Sequence, residues 1–323
     1  MKCLLLFFKV FYILFFTTSI AHGATYFGPI KLRNLNPMIS IFGVPTWPDY
    51  HLEEGSIGFV TERASHFQLA DVTNESIRQD GETHRNILII KKKIANNAYL
   101  DLQIPQIVHT GGSLDDFIDG WHKAFSMPDG NRSQYPEDLM NISYAIDGSR
   151  IFHLTNTVKG LGDIQLNYRK EFIHDQSILS IGVKMPTGDY QNLFGSGYTD
   201  FSISYFKRIK NDLLSSNYRF FWGLGLLKTG QSKMFGNKIN YIGLGIFGLN
   251  YRVFENLVLK AQMDIHSPFY NSVLNEFKTS IQGNLGLLYR FSDNKDIALS
   301  IGEDLIVRTA PDVTLNVDFQ WNY

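Results

Sequence analysis

Six acidic or imidazole side chains crowd one stretch of the chain: His109, Asp115, Asp116, Asp119, His122 and Asp129. Groups of these types hold divalent metals or move protons. Their spacing matches no known metal site, however, and acids on a solvated helix face are the commoner source of such a cluster. No metal and no cofactor is therefore expected. A second group is Asp189, in Met185-Pro186-Thr187-Gly188-Asp189, followed by Gly195-Ser196-Gly197. Glycine and proline set a tight loop there. No lysine follows and no helix opens, so a phosphate cradle is not expected. A third is His266-Ser267. Neighbours on a strand point to opposite faces, whereas a nucleophile and its base must meet in space.

The element that must position the first group is a helix. Ser113 fits the N-cap, and Asp115 and Asp116 suit the first turn. Leu114, Phe117, Ile118, Trp121 and Phe125 recur at helical spacing on one face. Met127-Pro128-Asp129-Gly130 ends it. A loop at 109–137 with its own amphipathic helix either caps an opening or grips a ligand. The candidate binding or gating residues are His109, Asp115, Phe117, Asp119, Trp121 and His122, with Asp189, His266 and Asp312 from other loops.

Almost everything else reads as strand. Val313 to Tyr323 alternates without a break: odd positions are apolar or aromatic, and positions 314–322 on the even side are polar. Such a strand has one face for lipid or core and one for water. The same alternation recurs at 98–104, 164–169, 257–266 and 281–291. Connections alternate short and long, the asymmetry of a transmembrane barrel. The expected fold is all-β: a single antiparallel β-barrel over 51–323. It has about 14 strands, or 12 if 138–158 belongs to a loop, with a helix in the long extracellular loop. Long loops are expected at 68–82 and 109–137, among others. The lumen face would carry Asp101, Asp264 and Asp318 against Arg169, Lys184, Lys260 and Arg290. These charges either pair with one another or tune passage.

Composition fits this reading. The chain has 323 residues, a net charge of -1, 25 Phe, 16 Tyr and 27 Gly. The charge balance gives no basis for nucleic-acid binding. Mean hydropathy is -0.11, too polar for a helical membrane protein. Residues 1–23 read as a signal peptide, cut between Gly23 and Ala24. The one cysteine, Cys3, lies within it. Residues 24–50 form a Pro/Gly-rich segment that lies in the periplasm or threads the lumen as a plug.

Several motifs together resemble an uncharacterised family of Gram-negative outer-membrane proteins, a domain of unknown function. They are Gly28-Pro29-Ile30, Arg33-Asn34-Leu35-Asn36-Pro37, His109 to Gly112 and Phe117-Ile118-Asp119-Gly120-Trp121-His122. Pro186-Thr187-Gly188-Asp189, Gly195-Ser196-Gly197, Lys260-Ala261-Gln262, His266-Ser267-Pro268-Phe269-Tyr270, Glu303-Asp304-Leu305 and Thr309-Ala310-Pro311-Asp312 continue the match. The Pro-Thr-Gly-Asp loop is similar to one in barrels of the fatty-acid and aromatic-compound uptake type. The resemblance implies a barrel and no activity. The expected function is an outer-membrane channel or passive transporter for a small solute, hydrophobic ones included, gated by the 109–137 loop. The alternatives are a structural barrel with a closed lumen and, third, a lipid-modifying hydrolase. For the last, neither a partnered acid nor the His-x-Ser-Asn pattern of outer-membrane lipid hydrolases is present. Expected partners are membrane lipid, lipopolysaccharide and the barrel-assembly machinery through strand 313–323.

Overall fold

The computed structural model describes the chain apart from residues 1–27, 50–53, 117, 119, 121–122, 124–134, 210–216, 232–234 and 307. Fifteen strands are described: β1 Gly55–Val72, β2 Glu75–Ala95, β3 Ala98–Thr110, β4 Asn141–Ile146, β5 Ser149–Leu154, β6 Val158–Leu161, β7 Gln165–Phe172, β8 Ser177–Lys184, β9 Asp200–Ile209, β10 Tyr218–Lys228, β11 Tyr241–Phe254, β12 Leu257–His266, β13 Ser280–Ser292, β14 Lys295–Asp304 and β15 Val313–Asn322. One short helix, α1 (Pro37–Ser40), precedes them.

Twelve strands close the barrel, in the order β1-β2-β3-β7-β8-β9-β10-β11-β12-β13-β14-β15. The seam is antiparallel β1 against β15, from Ser56↔Asn322 to Ser65↔Val313. Closure leaves no unpaired edge, which hydrocarbon would not tolerate. The count of twelve follows because β4 and β5, within 138–158, form a hairpin above the barrel. β4 pairs with β2 at Glu75–Asp80, and β5 pairs only with β4. β6 and β7 lie end to end along β3, interrupted at Gly162-Asp163-Ile164.

One loop expectation fails. Residues 68–82 are not a loop: β1 and β2 pair all the way to Val72↔Glu75. Polar residues of weak strand propensity are held there by cross-strand pairing, and β4 covers the exposed edge. The helix expected from Ser113 falls largely outside the described residues. Asp115, Asp116, Ile118, Gly120 and Lys123 are helical, with Ile118 buried and Asp116, Gly120 and Lys123 exposed.

Alternation decides which way each strand faces. Phe59, Ile181, Phe201, Leu224, Phe247 and Leu299 point outward and are exposed. Outward aromatics collect at the short-turn rim, with Phe172, Phe254, Phe291, Trp321 and Tyr323 at strand ends. Tyr198 and Tyr241 mark the long-loop rim. An apolar belt between aromatic girdles is the exterior of a membrane barrel. The inward face is polar: Gln103, Asn167, Arg169, Gln262, Asn284 and Asn316 are all buried.

Candidate functional site

Inside the barrel lies residues 28–49, nearly all buried. Pro29, Pro37, Pro45 and Pro48 keep this segment out of any sheet, so its backbone groups need partners from side chains. It runs up one side of the lumen, turns at the long-loop rim and runs down the other.

The ascending leg docks on β11, β12 and β15. The Gly28 carbonyl accepts from Lys260 Nζ at 2.8 Å and from Asn250 Nδ2 at 3.2 Å. Gln262 pairs with both backbone groups of Ile30: the Ile30 N–H donates to Oε1 at 2.7 Å, and Nε2 donates to the Ile30 carbonyl at 3.1 Å. Lys31 pairs with Asp318 at 2.8 Å and donates to Gln320 Oε1 at 3.0 Å. Asn34 Nδ2 lies 2.9 Å from His266 Nε2 and donates to the Thr309 carbonyl at 2.9 Å.

The apex is α1. Asn36 caps it, accepting from the Met38 N–H at 3.0 Å, with Pro37 at the first helical position. The same amide pairs with Gln79 in both directions at 2.9 Å. Above it an aromatic lid gathers residues from several loops. Phe42 stacks on Phe269, and Tyr270 packs on Phe235 and Phe277. The Tyr270 hydroxyl donates to the Met38 carbonyl at 2.6 Å.

The descending leg docks on the opposite wall, and mostly on charged groups. The Gly43 N–H donates to Asp200 Oδ2 at 2.8 Å. Lys184 donates to the Ile41 carbonyl at 3.2 Å, while also holding Asp163 at 2.5 Å and Asp200 at 3.2 Å. Arg169, paired with Asp101 at 2.9 Å, donates to Thr46 through its carbonyl and hydroxyl oxygens. Asp49 pairs with Lys91, and with Lys31 of the other leg at 3.2 Å. Tyr99 donates to the Asp49 carbonyl at 2.9 Å. Trp47 lies over Gly223, where an added methyl would sit 2.6 Å from its ring.

The residues expected at the lumen thus divide. Asp101 with Arg169, Lys184, Lys260 and Asp318 all hold the 28–49 segment or one another. Asp264 accepts from Gln262 Nε2 and Asn284 Nδ2, each at 2.7 Å. Arg290 sits at the short-turn mouth and pairs with Asp296 of the next strand at 2.8 Å.

Among the described residues, those expected to bind or gate at the rim, His109, Asp115, Asp189, His266 and Asp312, lie apart from one another. His109 is fully buried at the end of β3, 3.0 Å from Thr83 Oγ1 and stacked on Phe194. Asp115 is buried and accepts from the Asp138 N–H at 2.8 Å. Asp189 is exposed and ties its own loop through Gln191 N and Asn192 Nδ2. Asp312 lies on a different loop, its N–H donating to the Ser65 carbonyl. His266 faces inward onto Asn34, not outward at the rim. Phe117, Asp119, Trp121 and His122 lie outside the described residues. Among those described, no group of three or more His, Cys, Asp or Glu is placed to hold a metal ion.

Sequence reasoning missed the residues that matter most to this interior: Lys31, Arg33, Asn34 and Asn36 on the segment, and Glu62, Arg85, Lys91, Asp163 and Asp200 on the wall. Period two marks Glu62 as inward, since Val60 and Ala64 share its face. Nothing in the sequence pairs Lys31 with Asp318.

The fold is shared with a solved structure. An outer membrane channel of Pseudomonas putida F1, COG4313, superposes with a TM-score of 0.53 at 13% identity, covering 88% of this chain and 98% of that one. Looser likenesses include the KdgM porin in complex with disordered oligogalacturonate, at TM-score 0.42 and 11% identity, covering 83% and 99%. The Pseudomonas putida toluene transporter TodX follows at 0.40 and 9%, covering 84% and 90%. Among curated proteins none matches this sequence. A family model matches residues 8–323, nearly the whole length, and the chain belongs to that family, described as protein of unknown function (DUF3187).

Proposed function

We propose that this protein is an outer-membrane channel for a small solute, and that residues 28–49 are its plug. The observation that carries the reading is the plug's attachment. Both legs enter from the short-turn rim, which in a barrel of this class faces the periplasm. Every contact described above is non-covalent and made largely through polar side chains, so the segment is a part that can leave. A polar wall remains behind it, lined by amides and paired charges. The solved barrel that shares the fold is a channel, and that activity is carried to this chain as part of the proposal. Hydrophobic solutes belong to the same reading.

The 109–137 loop is assigned the outer cover. Its base is tied down: Glu82 Oε1 accepts from the Ser113 and Leu114 N–H groups at 2.5 and 2.6 Å. Gating is therefore assigned first to the plug. Export through the 1–23 signal, assembly through strand 313–323, and contact with lipid and lipopolysaccharide complete the proposal.

A second reading, a barrel that stays closed and serves through its loops, is favoured by one feature. The ion pairs that join plug to wall, Lys31 with Asp318 and Asp49 with Lys91, are largely buried, which makes release of the plug costly. Conductance separates the two. The mature protein, refolded into a planar bilayer, is recorded whole, without residues 24–50, and without residues 110–135. The channel reading expects large, steady conductance when 24–50 is removed and a smaller rise when 110–135 is removed. No conductance in any of the three overturns it.

A further inference from the structure

Between the two legs of the plug and the barrel wall lies a cavity of about 40 Å³. A cavity holds a water molecule from roughly 10–15 Å³ upward, so this one takes a few waters or one small organic ion. Two guanidinium groups line it, Arg33 from the plug and Arg85 from β2. Ile30, Leu32, Val44, Trp47 and Leu244 supply apolar wall.

The polar atoms around this cavity are unevenly satisfied. Four buried side-chain atoms of its lining have no hydrogen-bond partner: Arg33 Nε, Arg85 Nε, Arg85 Nη2 and Gln282 Nε2. All four are donors. The carboxylates and the imidazole of the lining each already have a donor. Glu62 takes Arg85 Nη1 at 2.9 Å. Asp264 takes two amide donors. His266 Nδ1 faces the Ser267 carbonyl at 3.0 Å, which fixes the proton there and leaves Nε2 to accept from Asn34. The imidazole is therefore neutral. Lys31, the remaining cation, is shared among Asp318, Asp49 and Gln320.

Charge repeats the pattern. Arg33 is 8% exposed, and its one protein acceptor is the Val44 carbonyl at 2.9 Å. No carboxylate lies within ion-pair distance of it among the described residues. Arg85 is 1% exposed and shares its cavity with this second cation. A buried charge is strongly unfavourable until it is paired. The two unpartnered atoms of Arg85, Nε and Nη2, form one edge of the guanidinium, and that edge matches the two oxygens of a carboxylate.

We propose that this cavity is a binding site for a small monocarboxylate, held between Arg33 of the plug and Arg85 of the wall. The apolar lining favours a ligand with a short hydrocarbon body over a strongly hydrated inorganic anion. The bound anion bridges plug and barrel, so it holds the plug in place. The site rests on the geometry of the plug and needs no conduction.

The test uses the full mature protein refolded in detergent micelles and titrated with sodium acetate by calorimetry at constant ionic strength. Sodium propionate and sodium sulfate serve as comparison titrants. Arg33→Gln is the main variant, Gln282→Leu the second, and Arg63→Gln, on the outer face of β1, the control. Heat-modifiable mobility on a gel reports folding of each. The expected result is saturable binding of one acetate, propionate at least as tight, and no saturable binding of sulfate. Arg33→Gln weakens acetate tenfold or more, Gln282→Leu severalfold, and Arg63→Gln not at all. If Arg33→Gln does not fold, Gln282→Leu carries the test. Absence of saturable acetate binding, equal binding of sulfate, or wild-type affinity in the folded variants overturns the site. Conductance without acetate binding removes the site alone, and acetate binding without conductance removes the channel reading alone.

Discussion

The two legs of the plug solve one problem in different ways. The ascending leg presents most of its backbone groups to neutral amides, as where Gln262 satisfies both the N–H and the carbonyl of Ile30, and carries one ion pair to the wall, Lys31 with Asp318. The descending leg presents backbone and hydroxyl oxygens to cations that are already paired on the wall, as where Arg169, bound to Asp101, reaches Thr46. Only Asp49 and Lys31 join the two sides by charge. The difference teaches where release would begin. Neutral hydrogen bonds are exchanged for water at modest net cost, whereas a buried charge that loses its partner is left stranded. Away from the Lys31–Asp318 pair, the ascending leg is held by the weaker set of bonds, and peeling would begin there.

The largest expected effect breaks the link between them. Asp49→Ala strands Lys91 and leaves Lys31 with Asp318 alone, and should destabilise the seated plug by about 3–5 kcal/mol. In proteoliposomes, added protease should then cut residues 28–49 far faster than in wild type. An unchanged cutting rate would mean that the ion pairs do not hold the plug. Next is Gln262→Leu, which leaves two backbone groups of Ile30 without partners and should cost about 1–3 kcal/mol. Cutting should begin in the ascending leg alone, and cleavage in the descending leg first would reverse the comparison. Gly223→Ala should act on the other side, displacing Trp47 at about 1–2 kcal/mol. A shifted Trp47 emission in the folded protein reports it.

The smallest effect tests the loops above both legs. Glu276, in the loop between β12 and β13, is 1% exposed, and neither carboxyl oxygen has a hydrogen-bond partner. Burial pushes its carboxyl above the ordinary range. A carboxyl whose pKa is raised on folding favours the folded state at low pH, and that advantage is lost as pH rises through the raised value. Glu276→Gln should therefore raise the guanidinium midpoint at pH 8 and leave it unchanged at pH 4. A gain at pH 4 equal to that at pH 8 would exclude ionisation as the cause.

The wall was legible in the sequence and the plug was not, for a physical reason. A strand facing lipid on one side and amides on the other must alternate, so Leu166, Tyr168 and Arg169 declare their faces without any structure. The twelve-strand alternative was legible too, because 138–158 could be set aside as loop. The pairing of β1 and β2 beyond residue 67 was hidden because Gln68, Asp71 and Glu75 look like loop residues until a neighbouring strand covers them. The plug has no period. Pro29, Pro37, Pro45 and Pro48 say only that residues 28–49 avoid a sheet, and partners such as Gln320 and Asp318 lie at the far end of the chain. His266 shows the cost: it ends a strand and so reads as a rim residue, whereas its ring points at Asn34.

Gly28 and Asp49 both lie toward the short-turn rim, so the plug is a bight of chain, not a thread. Its ends never pass through the barrel. The seam between β1 and β15 can therefore close first, and the bight can slip in afterwards or be drawn out again without opening a strand. A steady pull on the chain ahead of Gly28 would undo the ascending leg contact by contact, with the work spread along the leg instead of falling on one bond. A barrel so built is a vessel whose stopper and handle are the same piece of rope.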